Sequence, residues 1–238
     1  MSSALMRFAN PDLRAALGAA LAVVALLLAG LPARAGDAAY VVPLGFSDDG
    51  RRFAFAEYGQ QDGSGFVYGA AFFLDLDADR FLRPPVRIRL EASGTPVTDG
   101  FRAVFEAARP AMDQAGIDRP ARLVLAPAAA VFGDPPVQYA LPPDWRGGTE
   151  MLHLSQRVVP APHCPDPATG FTLVLSGVEV YRDVMVPKSR GCPTTYRLSR
   201  VYTPGDMQAP PFSVAIIAVE RIGFEGPDTR HVAVPLPK

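Results

Sequence analysis

Five charged side chains sit among glycines in this chain. Glu57 and Asp62 belong to Glu57-Tyr58-Gly59-Gln60-Gln61-Asp62-Gly63-Ser64-Gly65, and Glu225, Asp228 and Arg230 lie in or beside Gly223-Phe224-Glu225-Gly226-Pro227-Asp228. Paired carboxylates can work as acid and base, for instance on a glycoside. In Gly-rich loops the same side chains also bond backbone N–H groups and fix the turn, which is the simpler account. Ser64 lies between Gly63 and Gly65. A nucleophile elbow needs Gly-x-Ser-x-Gly at a strand-to-helix turn, and Ser64 falls between two expected strands. No catalytic residue is identified. Glu57, Asp62, Ser64, Glu225, Asp228 and Arg230 stand as candidate binding-loop residues.

Metal-ligand patterns are no stronger. Asp75, Asp77 and Asp79 alternate as in a calcium loop, but Arg80 and Val86 stand where that loop needs glycine and an acid. A solvated turn is the reading adopted. His153, His163 and His231 are far apart and lack ligand spacing. The two cysteines, Cys164 and Cys192, read as a disulfide in an exported chain. The rival, a metal held by Cys164, Cys192 and His163, lacks a fourth ligand. No metal and no cofactor is expected.

These side chains must be positioned by sheet. Residues 1–35 read as a secretory signal peptide: Arg7 and Arg14, an apolar run from Ala15 to Leu31, then Ala33-Arg34-Ala35. The alternative is an uncleaved anchor, for which the run is short. After cleavage no membrane span remains, and residues 36–238 form a single β-rich domain, periplasmic or secreted. Acidic and basic residues nearly cancel, 24 against 23, which excludes the footprint of a nucleic-acid binder. The 25 prolines favour short strands and loops over long helices.

Strands are expected over Tyr40–Phe46, Arg52–Tyr58 and Phe66–Leu76, with Asp49-Gly50 as the first turn. Further strands are expected at 86–92, 122–126, 136–141 and 151–159. Phe171–Tyr181 reads as one long strand bent at Gly177, followed by 183–186, 196–202, 212–219 and a short last strand at 231–234. One helix is expected from Gly100 to Ala115, capped by Thr98 or Asp99. It carries a stripe of Phe101, Val104, Phe105, Ala108 and Met112, a kink near Glu106 caused by Pro110, and a stop at Gly116. The fold class is mainly β, an antiparallel sandwich or distorted barrel with one packed helix, or alternatively α+β.

Phe46-Ser47-Asp48-Asp49-Gly50 with Ala54-Phe55 resembles one hairpin of a TolB-type β-propeller blade, but no second copy exists in the chain. The Glu57–Gly65 segment, Ser189-Arg190-Gly191-Cys192-Pro193 and Gly223–Asp228 together resemble the bacterial secreted proteins grouped as domain of unknown function 2259. That resemblance covers nearly the whole mature chain. It implies export and a single domain, and it supplies no activity. The function expected is a non-catalytic binding or interaction module, whose partner is another envelope protein or a small ligand. The alternative is an envelope-polymer hydrolase using two of the carboxylates above.

Overall fold

A computed structural model of the chain describes residues 36–127, 137–142, 148–224 and 226–238. The expected signal segment 1–35 and the candidate Glu225 lie outside the described residues.

Among the described residues three antiparallel sheets are formed, none of them closed into a barrel. The first contains β1 (Tyr40–Ser47), β2 (Arg52–Gln60), β3 (Val67–Asp75), β4 (Arg80–Phe81), β5 (Val86–Leu90) and β6 (Ile117–Arg119), in the order β4-β3-β2-β1-β6 with β5 also on β3. Another runs through β7 (Ala121–Leu125), β12 (Pro193–Pro204), β13 (Phe212–Ile222) and β14 (Pro227–Pro237), with β14 and β7 at its edges. The last is β8 (Val137–Leu141), β9 (Glu150–Val159), β10 (Ala168–Leu175) and β11 (Val178–Arg182). They are called here the front, middle and back sheets.

The middle sheet is covered on both faces, and β13 explains why. Its Val214 and Ile216 pack with Phe53, Phe55 and Leu74 of the front sheet. Its Ala215, Ile217 and Val219 pack with Leu152, Leu154, Phe171 and Leu173 of the back sheet. A strand buried on both sides needs an unbroken apolar run, which Val214–Val219 supplies. The outer face of the front sheet is covered by the helix α1 (Val97–Ala115) through Val104, Ala108, Ala111 and Met112. The layers are therefore helix, front sheet, middle sheet, back sheet.

Several expectations need correction. Phe171–Tyr181 is not one strand. It is the β10–β11 hairpin, with Ser176 and Gly177 at φ 48° and 88° forming a two-residue turn of the kind that joins twisted strands. Residues 183–186 are not a strand. The helix starts a turn earlier than expected, after Pro96, with no side-chain cap, so Thr98 and Asp99 lie inside its first turn. Asp99 there complements the helix dipole and pairs with Arg102. Phe105 lies at the edge of the helical stripe, 36% exposed. The final strand is much longer than expected because Pro227–Pro237 pairs with β13 along its whole length.

Candidate functional site

Glu57, grouped by its motif with the Gly-rich loop that follows, lies within β2, as the strand expected over Arg52–Tyr58 places it. Strand alternation puts it on the same face as Phe53 and Phe55, looking toward the middle sheet. A carboxylate on a buried face needs a partner, and His231 of β14 is that partner. The His231 Nδ1–H donates to Glu57 Oε1 at 2.9 Å, with both side chains about 5% exposed or less. Asp228 and Arg230, expected in or beside a loop, belong to β14.

Tyr68 stands opposite Gly59 in the β2–β3 register. A Cβ at Gly59 would come within 3.0 Å of the Tyr68 hydroxyl, so the missing side chain makes room for the ring. Tyr68 OH donates to Asp37 Oδ1 at 2.8 Å, and the Arg230 guanidinium lies 5.1 Å from the ring centroid. Arg230 also binds the Asp37 carboxylate, which is buried at 5% exposure. Burial pushes the Tyr68 phenol far above its ordinary pKa. Burial works against the charge on Arg230, but Tyr68, Asp37 and Glu57 outweigh it and raise its pKa. Asp228 supports the group from behind: its Oδ1 accepts from the Asp37 backbone N–H at 3.4 Å and its Oδ2 from Arg221 at 3.3 Å.

A second polar cluster forms beside the first. Arg190 follows Pro187 in a single 3-10 turn (Lys188–Arg190). Its NH1 donates to both Asp183 oxygens at 2.8 and 2.6 Å, and its NH2 donates to Tyr181 OH at 2.8 Å. Three rings, Phe171, Tyr181 and Tyr196, stand 5.6 to 5.9 Å from the guanidinium carbon. Asp183 is also bonded by the Phe171 N–H and the Tyr181 hydroxyl, so its lone pairs are satisfied although it is 3% exposed. Burial raises the Tyr181 and Tyr196 phenols to about 12. The turn is tied down two residues later by the Cys164–Cys192 disulfide, with a Cα–Cα distance of 5.6 Å. His163 Nε2 meets Gly191 O at 2.9 Å in the same corner. The two sulfurs of the rival metal reading are thus bonded to each other.

These groups surround one cleft of about 790 Å³. Its floor is the inward face of the front sheet, including Glu57, Ala70 and Phe72. The edge of β14 with Arg230 and His231 forms one wall, and Ser189 and Arg190 close another. Arg87 and Arg89 of β5 stand at the side. Five arginines line the cleft (87, 89, 190, 221 and 230), and the only carboxylate among the described lining residues is Glu57. Four of the arginines are each held by an acid: Glu91 for Arg89, Asp183 for Arg190, Asp228 for Arg221 and Asp37 for Arg230. Arg87 is exposed and has no acidic partner among the described residues.

Of the candidate residues, the structure brings Glu57 and Arg230 to this cleft and sets Asp228 just behind it. Asp62 and Ser64 serve the neighbouring turn instead. The Ser64 N–H bonds Asp62 O at 2.9 Å, and its hydroxyl accepts from the Phe66 N–H at 3.3 Å. The acidic run after β3 is likewise a turn, in which Asp75 accepts from the Ala78 N–H at 3.1 Å and Asp77 pairs with Arg51. The sequence reading weighed His231 only as a metal ligand and did not single out Tyr68, Asp37 or Arg87. The strand pattern did contain one signal: a Glu in phase with Phe53 and Phe55 points inward and must be matched by something.

A family model described as "Predicted secreted protein (DUF2259)" matches residues 54–236. No curated protein and no solved structure matches the chain. The three segments that carry the resemblance meet at this cleft. Glu57 comes from the first, Ser189 and Arg190 from the second, and Asp228 from the third supports Arg221 in the wall.

Proposed function

The chain belongs to this family of predicted secreted proteins, and from that premise we propose that it is an exported, non-catalytic binding module whose cleft takes a small anionic ligand. The observation that carries this reading is Arg87, exposed at the cleft side and without an acidic partner among the described residues. The other four lining arginines are each paired with an acid, so among the described residues an arriving anion meets the unpaired guanidinium of Arg87. Guanidinium binds carboxylate or phosphate through two parallel N–H bonds. The chain as a whole has a net charge of −1, so this gathering of arginines is not a consequence of composition.

Export by removal of residues 1–35, leaving residues 36–238 as one domain, belongs to the same proposal. The hydrolase alternative asks for two carboxylates facing each other across a cleft. The lining favours binding instead: Glu57 is occupied by His231, and Asp228 is occupied by Arg221 and the Asp37 backbone.

Calorimetric titration of the mature protein with citrate, inorganic phosphate and a hexuronate tests the reading. At least one anion is expected to bind, and Arg87→Ala should weaken it at least tenfold. Equal binding by Arg87→Ala, or no binding by any anion, would overturn it.

A further inference from the structure

We infer that the ligand of this cleft is an acidic saccharide, with its carboxylate on Arg87 and its hydroxyls on the Glu57–His231 pair. The inference rests on the anion-binding reading above and specifies its chemistry. Glu57 pairs with Ala70 across β2 and β3, and Ala70 pairs with Arg87 across β3 and β5. These three residues therefore form one row on one face of the front sheet. Two inter-strand steps separate the Glu57 and Arg87 backbones by roughly 10 Å. The residue between them is the small Ala70, which leaves the space above it open.

The two ends of the row ask for opposite partners. Arg87 offers only donors and a positive charge, so it calls for an anion. Glu57 gives Oε1 to His231 and retains Oε2 as an acceptor, so the other end of the ligand must donate. The donor is a hydroxyl rather than an ammonium, because the Arg230 guanidinium shares this wall of the cleft with Glu57 and opposes a further cation. The floor beside this row is aromatic. Phe72, two residues along β3 from Ala70, is half-buried, and Phe81 beside it is 56% exposed with its ring 6.1 Å from that of Phe72. An aromatic ledge beside a row that joins an anion site to a hydroxyl site suits the C–H face of a sugar ring. A cleft of about 790 Å³ is in the range that encloses a small ligand. A carboxylate, a patterned set of hydroxyls and an apolar ring face occur together in a uronic acid residue, free or within a polymer.

The test is calorimetry on the mature, oxidised protein with tetragalacturonate, galacturonate, cellotetraose, citrate and a zwitterionic dipeptide. Tetragalacturonate or galacturonate is expected to bind at least tenfold more tightly than cellotetraose, citrate or the dipeptide. Preference for the tetramer would assign the site to a polymer, and equal binding would assign it to the free sugar acid. Arg87→Ala should remove the preference for tetragalacturonate over cellotetraose. Phe81→Ala, at an exposed position where folding is not at risk, should weaken the acidic sugar about fivefold and leave citrate unchanged. Citrate or the dipeptide binding as tightly as the uronates would overturn the saccharide assignment while leaving the anion cleft intact. Cellotetraose binding equally well, or no binding by any compound, would overturn both.

Discussion

Arg190 illustrates how one side chain holds a corner of the protein together. Its side chain is 10% exposed and that of its partner Asp183 is 2% exposed, so neither charge could remain without the other. Arg190→Ala would leave Asp183 buried with only the Tyr181 hydroxyl and the Phe171 N–H, and should cost about 3–5 kcal/mol. Arg190→Lys should recover only part of this, because a compact ammonium lacks the planar fork that reaches Asp183 through one nitrogen and Tyr181 through another. Urea unfolding of the two variants checks both statements, and a loss below about 1 kcal/mol for Arg190→Ala would refute the first. The same cluster has a pH signature. Burial lifts the Tyr181 and Tyr196 phenols from the usual value near 10 to about 12. Because the folded state holds these protons longer than the unfolded chain, their contribution is complete below pH 10. It is lost as pH rises through about 12. Phenolate absorbance at 295 nm should therefore keep at least three tyrosines, Tyr68, Tyr181 and Tyr196, un-ionised at pH 11 in the folded protein. Ionisation of all tyrosines near pH 10 without unfolding would contradict it.

At the scale of elements, the helix and the front sheet meet unusually closely. A Cβ on Gly100 would fall 2.7 Å from the Tyr68 carbonyl oxygen, and one on Gly69 would fall 2.7 Å from the Gly100 carbonyl oxygen. Backbone lies on backbone here, and no side chain can swing away to relieve the contact. Gly100→Ala should therefore destabilise by about 1–3 kcal/mol, although alanine is the better helix former by nearly 1 kcal/mol. A stabilised Gly100→Ala protein in thermal or urea unfolding would show that this contact gives way. This close approach was not legible in the sequence, where Gly100 reads only as the start of a helix. The strand cores were legible, because Phe53-Ala54-Phe55 and Val214–Val219 state their burial directly. The β10–β11 hairpin was missed because Ser176-Gly177 interrupts the apolar pattern by two residues, and a two-residue gap preserves the alternation on either side. Glu57 was legible as an inward charge, but His231 was not legible as its partner. The two stand 174 residues apart, and only the stacking of the middle sheet on the front sheet brings them together.

For the whole molecule, the disulfide joins the loop after β9 to the turn before β12, and so ties the back sheet to the middle sheet. Closing a loop with a sequence separation of 28 should contribute about 3–4 kcal/mol by the chain-entropy estimate. Reduction should lower the urea midpoint correspondingly without unfolding the protein, since both large cores are formed by strands on either side of the cross-link. The loss should also be local. The turn Lys188–Arg190 precedes Cys192 and contributes Ser189 and Arg190 to the cleft wall, so its position depends on the covalent tie. Limited trypsin digestion reads this directly, because Lys188 and Arg190 are both cleavage sites. Oxidised protein should resist cutting there, held by Asp183, the three rings and the disulfide together. Reduced protein should be cut after Lys188 first, because Lys188 is exposed while Arg190 keeps its ion pair. Digestion that proceeds equally in both redox states would mean that Asp183 and the aromatic rings hold the wall alone. In that case the cleft would keep its shape in a reducing environment.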